Sequence, residues 1–265
     1  MSSAGEFAIL TGIVLTKNEE KHITACLSSL SWCDRLIVWD SFSNDATCEI
    51  AKTCGAEVVQ NGFENYAQQR NAALKYAFNR ELNSNIFQWV FFLDADERCT
   101  SELANEIRGV IKTDECVVWS VPRHNFIFKK LTLGAGWFPD YQARLFLLGR
   151  AGFDPVREVH ETAVFDGEMG YLQQTLVHHN YEVVAQFHHK QRSYSEYEAS
   201  ILFKKNIRPK PQNFILQPLR EFKRRFFTLR GFIDGWHGLR LSLFMAYYNF
   251  DMYRRLLRMW RDKKA

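Results

Sequence analysis

Short apolar runs and amphipathic stretches alternate over the first 121 residues, and the alternation fixes most of the expected elements. Runs at 9–16, 36–40, 57–59, 88–93 and 117–121 have strand length and composition. Between them, 19–30, 45–54, 66–78 and 101–112 carry helical spacing. Asp45 and Ser101 stand where N-caps are expected, and Gly55 follows the second helix at the position that favours a left-handed backbone. Strands alternating with helices predict βαβ units around a largely parallel sheet. Beyond Pro122 the alternation stops, and 122–180 mixes Gly, aromatic and charged residues, as expected of an irregular segment that builds a binding site. From residue 239 onward, Leu239, Leu243, Ala246, Phe250, Tyr253, Leu257 and Trp260 recur at spacings of four and three, which predicts one long helix with this stripe on its apolar face.

Charge divides the chain. Residues 204–265 hold 16 Lys/Arg against 4 Asp/Glu, a net of +12, so the formal total of +4 leaves −8 on the preceding 203 residues. The sequence therefore reads as a catalytic domain at 1–203 followed by a basic helical extension at 204–265. Its arginines, interleaved with Phe222, Phe226 and Phe227, suit an anionic membrane surface. The alternative is a helix packed on the domain with its charges in water. Nucleic acid is set aside because no helix-turn-helix, zinc-ligand or RNP-type motif accompanies the charge. The six cysteines form no CxxC pair and read as reduced thiols. No apolar run reaches the ~18 residues of a membrane span, and no export signal is legible at the start. The expected location is cytoplasmic, peripherally associated with the inner face of the cytoplasmic membrane.

In an open α/β sheet, ligands collect beyond the carboxyl ends of the strands. The polar residues fall there: Thr16, Asn18 and Glu19 after the first strand, Asp40 and Ser41 after the second, and Asp94-Ala95-Asp96 after the run 89–93. Neither GxGxxG nor GxxxxGK[ST] occurs, which excludes dinucleotide and P-loop sites. Two carboxylates two residues apart past a buried strand can converge on one hard divalent cation that it shares with substrate phosphates. A solvated turn with a helix cap is the competing reading.

These residues resemble the inverting glycosyltransferases of family 2, whose fold is the GT-A fold. Leu15 to Glu20 resembles the family's opening strand and loop, and Asp40-Ser41-Phe42-Ser43-Asn44-Asp45-Ala46-Thr47 its D-S-x-S-x-D-x-T signature. Gln69-Arg70-Asn71 is similar to its Arg-Asn helix start and Asp94-Ala95-Asp96 to its DxD. The likeness continues through the stretch from Gly136 to Phe146, Val159-His160-Glu161, Leu176-Val177-His178 and Gly231-Phe232-Ile233-Asp234-Gly235. That set resembles the branch that builds the lipopolysaccharide core. The resemblance implies an α/β GT-A domain with a Rossmann-like, mostly parallel sheet and helices on both faces. It implies a divalent cation (Mg²⁺ or Mn²⁺), a nucleotide-sugar donor, most simply UDP-linked, and a lipid-linked or lipopolysaccharide-type acceptor.

The resemblance also assigns roles. Asp40 would hydrogen-bond the base, with Thr16, Asn18, Glu19 and Ser41 around base and ribose and Arg70 near base or diphosphate. Asp96 would bind the metal, Asp94 ribose or metal, and His178 the metal or the diphosphate, with His179 beside it. Glu161 falls where the family places its catalytic base, although His160-Glu161 replaces the usual Glu-Asp pair, which leaves Asp140 as a rival. Trp137 and Arg144 would stand on the acceptor side or position a loop, with an ordinary salt bridge as the alternative for Arg144. A sugar nucleotidyltransferase is the alternative enzyme, but residues 11–20 contain one Gly and no Arg with which to hold a triphosphate.

Overall fold

A computed structural model describes residues 7–79, 81–82, 86–113, 115–155 and 162–263. In chain order the strands are β1 (Phe7–Thr16), β2 (Arg35–Asp40), β3 (Glu57–Gln60), β4 (Ile86–Asp94), β5 (Glu97–Cys99), β6 (Val118–Ile127), β7 (Lys130–Thr132), β8 (Tyr141–Leu147), β9 (Ala151–Phe153), β10 (Ala163–Phe165), β11 (Met169–Tyr171) and β12 (Leu176–Tyr181). The α-helices are α1 (Ile23–Ser28), α2 (Thr47–Thr53), α3 (Tyr66–Ala77), α4 (Ser101–Val110), α5 (Val184–Lys204), α6 (Asn213–Lys223) and α7 (Trp236–Asp262). The chain forms two compact units, one of residues 1–123 and 141–178 and one of 124–140 and 179–265. The boundary expected at 203/204 therefore falls inside the second unit, at the end of α5.

The first unit is built on a sheet whose strands run β3-β2-β1-β4-β8-β6-β12-β5. The β3-β2-β1-β4 half is parallel, as expected. β1 and β4 lie at its centre, and the run from Trp89 to Leu93 is completely buried along with Leu10, Ile13 and Val14. A strand covered on both faces needs such a continuous apolar sequence. Beyond β4 the direction reverses, since β8 pairs antiparallel with both β4 and β6. The segment expected to be irregular thus supplies six short strands. Their length hides the alternation, and a shift of register between Trp119 and Ser120 interrupts it further.

Helix ends differ from expectation for local reasons. α1 is shorter than 19–30 because Glu19 O already accepts the N–H groups of His22 and Ile23 in a turn. α4 is capped by Thr100, whose hydroxyl accepts from Leu103 N, one residue before Ser101. α2 begins after Ala46, with Asp45 just outside it accepting the Thr47 N–H. All six cysteines are unpaired, and burial pushes the Cys99 thiol up to about 12.

The second unit is largely helical. α7 packs along α5 and α6. Its inward stripe is Leu241, Tyr248, Met252, Leu256 and Trp260, joined by Ala199 of α5. This stripe is rotated from the one expected, in which Leu243 is 51% exposed. Small residues account for the difference. A Cβ on Gly238 would stand 1.8 Å from the carbonyl oxygen of Gly231, so α7 meets the preceding turn along its Gly238 and Ser242 side. No helix among the described residues is long and apolar enough to cross a membrane.

The two stripes make different demands on stability. Leu256→Ala, which empties a fully buried position, is expected to cost roughly 2–5 kcal/mol in chemical denaturation. Leu243→Ala should stay within about 0.5 kcal/mol of the parent. Equal losses would mean that α7 packs through the other stripe.

Candidate functional site

The carboxyl ends of β2, β1 and β4 lie side by side. Register pairs Thr16 with Asp40 and Leu15 with Asp94, so the signature residues of three strands share one edge. With strands ~4.8 Å apart, Asp40 and Asp94 begin about two strand spacings from each other.

The loops after β1 and β2 are laced together. Thr16 Oγ1 donates to Asp40 Oδ1 at 3.0 Å, and Ser43 donates to Asp40 through both its N–H (2.8 Å) and its hydroxyl (2.5 Å). Gln60 Nε2 reaches Asp40 Oδ2 at 3.3 Å. Asp40 is completely buried. Burial pushes its pKa up, but the bonds from Ser43 outweigh that and hold the carboxyl below the usual range. Lys17 Nζ donates to the carbonyls of Ser41 and Phe42. Asn18, at φ 58°, accepts from Asn44 N and donates its own N–H to Ser43 Oγ. Glu19 N donates to Thr47 Oγ1, and Glu20 N to Asp45 Oδ2. Much of the D-S-x-S-x-D-x-T signature is therefore used in shaping two loops. Ser41 and Glu19 are half-buried at the same edge.

α3 turns two polar side chains, Gln69 and Arg70, onto its buried face. Gln69 accepts from Trp39 Nε1 and Asn61 Nδ2 and donates to Ser41 Oγ and to the carbonyls of Asn61 and Gly62, which ties the end of β2 to the loop before α3. Its neighbour Asn71 exchanges two hydrogen bonds with the backbone of Phe153 in β9. Arg70 lies over the rings of Phe92 and Phe153 and pairs with Asp94 Oδ1 at 3.2 Å.

At the end of β4 the charges gather. Arg144 Nη2 from β8 reaches Asp94 Oδ2 at 2.5 Å and Glu97 Oε1 at 2.6 Å, and Arg123 Nη1 reaches the same Glu97 oxygen at 3.1 Å. Glu97 Oε2 accepts the Asp94 N–H. Burial works against the Asp94 charge, yet the Arg144 and Arg70 guanidinium groups override it and hold the carboxyl far below its ordinary range. Arg144 is shifted upward, since Asp94 and Glu97 outweigh its desolvation. Among the described residues the cluster brings together two carboxylates and three guanidinium groups. Arg144 Nε is buried without an acceptor.

Asp96 points elsewhere. Its Oδ2 lies 3.5 Å from Nε2 of the largely buried His178, which β12 presents where His178 pairs in register with Glu97. Asp94 does not join them, because both its oxygens face arginines. Among the described residues no three His, Cys, Asp or Glu side chains gather as a metal-binding group. Asp96 and His178 together offer an oxygen and a nitrogen, a donor pair that fits a cation completing its shell with substrate oxygens and water.

In the second unit, Asp140 Oδ2 accepts from Nδ2 of the fully buried Asn125, which also donates to Trp137 O. Trp137 itself is half-buried, with Tyr181 against its ring. His179 lies against Phe126. Glu161, with Val159 and His160, lies outside the described residues. Of the residues brought together here, Glu97, Arg123, Gln69 and Asn71 had no assigned role from sequence. The last two flank Arg70 in a quoted motif, whereas Glu97 and Arg123 carried no such signal.

The family model described as "Glycosyl transferase family 2" matches residues 11–155. A lipopolysaccharide core biosynthesis glycosyltransferase, LpsC of Rhizobium meliloti, is 26% identical, with 86% of this chain and 87% of that protein covered. An uncharacterized glycosyltransferase of Rickettsia typhi is 25% identical over 91% of this chain and 84% of its own length. Among solved structures, residues 1–349 of TarS from S. aureus align over 96% of this chain and 92% of that one, at 17% identity and a TM-score of 0.45. Glucosyl-3-phosphoglycerate synthase of Mycobacterium tuberculosis, solved with Mn²⁺, UDP and glucosyl-3-phosphoglycerate, aligns over 43% of each chain at 21% identity and a TM-score of 0.36. The family match takes in the laced loops, Arg70, the carboxylates that end β2 and β4, and Arg144, and it extends over more than half of the sequence: the chain belongs to glycosyltransferase family 2.

Proposed function

We propose that this glycosyltransferase is a metal-dependent, inverting hexosyltransferase that takes its sugar from a UDP-sugar and delivers it to a lipid-linked or lipopolysaccharide-type saccharide at the inner face of the cytoplasmic membrane. The observation that carries the reading is the gathering of Arg70, Arg123 and Arg144 around Asp94 and Glu97, beside the Asp96–His178 pair. A leaving nucleoside diphosphate develops negative charge as the glycosidic bond breaks, and fixed guanidinium groups in a dry site stabilise it without reorganising. Similarity to the lipopolysaccharide core enzyme LpsC supports the acceptor class.

Asp96 and His178 are the residues that would hold the cation, and a bound Mg²⁺ or Mn²⁺ would add Lewis-acid charge at the diphosphate. Asp94 takes a different part in this reading: it orients Arg70 and Arg144 rather than ligating. Thr16, Asn18 and Asp40 shape the nucleotide loop, and Ser41, Glu19 and Arg70 face the donor. A single base then removes the proton of the acceptor hydroxyl as that oxygen attacks the anomeric carbon from the face opposite the diphosphate. Glu161 is that base by its place in the motif. Asp140 is the rival, favoured by one observation, the Asn125 amide that fixes its carboxylate.

Two substitution experiments test the roles. Asp96→Asn is expected to abolish transfer and the Mn²⁺-dependent rise in melting temperature with UDP, while its circular dichroism matches the parent. Retained activity would remove Asp96 from the site. Glu161→Gln should lower turnover by ~10²–10⁴ with nucleotide affinity nearly unchanged, because a base contributes mainly in the transition state. If Asp140→Asn gives that pattern and Glu161→Gln does not, Asp140 is the base.

A further inference from the structure

α6 presents its apolar residues to solvent. The side packed on α7 carries Phe214, whose ring meets Phe250 and Tyr253, and also Glu221, which pairs with Arg224 and Arg225. On the outward side Ile215, Leu216 and Leu219 are 65%, 45% and 59% exposed. Arg220 and Lys223 share that side, and Arg224, which follows, is paired with Glu221. The chain continues through a π-helical turn, Arg224–Thr228, and a 3₁₀ turn, Gly231–Asp234. Phe222, Phe226, Phe227 and Phe232 form an unbroken series of ring contacts there, with Phe227 and Phe232 half exposed. Ile233 and Trp236 follow, Trp236 at 85% exposure, beside a depression of about 510 Å³ lined by Trp236, Leu239, Arg240, Leu243 and Phe244.

A helix in water normally buries its apolar face. Here that face is turned out, and the exposed Arg220 and Lys223 flank it. We propose that the outward face of α6, the aromatic turns after it and Trp236 form one blade that enters the headgroup and upper acyl region of an anionic phospholipid leaflet. The inference deepens the membrane-apposed reading above and rests on it, but it moves the contact away from the far end of α7. The cations select the partner, since Arg220, Lys223 and Arg240 complement lipid phosphates. The apolar residues set the depth, because an interfacial helix buries its apolar face near the headgroup–acyl boundary and places Trp there. Two of the sixteen basic residues have a different use at the other end of α7. Arg254 and Arg255 are paired with Asp251, and Arg255 also with Glu196.

The test uses the full chain and vesicles of phosphatidylcholine with or without phosphatidylglycerol. The parent is expected to float with the anionic vesicles alone, and its binding should weaken without vanishing when the salt is raised to ~1 M, where charges are screened beyond ~3 Å. Leu219→Ser with Phe227→Ser, both at exposed positions, should lose the salt-resistant fraction. Arg258→Ser with Arg261→Ser should retain it. Brominated acyl chains should quench tryptophan fluorescence, and Trp236→Phe should remove most of that quenching. Hydrolysis of the donor nucleotide sugar, measured in solution on the same preparations, should be unchanged in the blade variants. Absence of hydrolysis in every form would count against the catalytic reading alone. If the Leu219/Phe227 variant binds like the parent, if quenching survives Trp236→Phe, or if the same residues instead mediate a lipid-independent dimer, the blade is not a bilayer contact.

Discussion

Asp94 at the end of β4 and the completely buried Glu97 just after it both need cationic partners, and the first unit is organised around that constraint. β4 delivers Asp94 from a run of five completely buried residues. Glu97, three residues on, is completely buried, and removing one partner of such a buried pair commonly costs ~3–5 kcal/mol, whereas the half-buried Asp94 keeps part of its hydration. The chain answers with Arg70 from α3 and Arg144 from β8, and Glu97 then balances Arg144 and Arg123. These groups come from the parallel half of the sheet, a helix and the antiparallel half. Folding any one of these parts correctly therefore depends on the others, and the site is assembled by the same contacts that satisfy its charges.

This arrangement separates two residues that sequence treats as a pair. Asp94 and Asp96 are two positions apart, yet Asp94 faces arginines and Asp96 faces His178. The tripeptide leaves the strand and turns before β5, so the two side chains diverge instead of converging. In the proposed function a cation held beside Asp96 would sit close to the guanidinium groups around Asp94, and a shared anion would favour both. The donor's diphosphate would be that anion in the proposed function, and metal and nucleotide affinity are then expected to be strongly coupled.

The parallel half of the sheet was legible because each buried strand is long, apolar and followed by a helix with recognisable caps. Thr16, Asp40 and Asp94 were found by the rule that ligands gather at the carboxyl ends of such strands. The antiparallel half was not legible. Its strands are three to ten residues long, and the Gly and aromatic residues between them obscure the period. Arg144 lies 50 positions from Asp94 and 47 from Glu97, so no local spacing could announce those pairs. A salt bridge is an open reading for Arg144 in the sequence, but its partners Asp94 and Glu97 are not legible there. The stripe of α7 failed for another reason. Periodicity identifies apolar positions, but the inward side is chosen by where Gly238 and Ser242 permit close approach.

The Gly-Phe-Ile-Asp-Gly motif shows how the second unit connects its outer and inner parts. Asp234 accepts the N–H groups of Leu133 and Gly134, Arg225 donates to Ala135 O, and Ala135 N donates to Leu229 O. A Cβ on Gly134 would lie 2.4 Å from the Arg230 carbonyl oxygen, so the two segments touch backbone to backbone. The loop held this way runs on to Trp137 and Asp140, and Asn125 fixes its far end. The aromatic turns between α6 and α7 thus do two jobs with one set of residues. Their exposed side chains face outward, and their backbone clamps the loop that carries a candidate base. Substitutions confined to exposed side chains such as Phe227 leave the clamp intact. Changes at Gly231, Asp234 or Arg225 act on the loop directly and would perturb Asp140 whether or not a membrane is present.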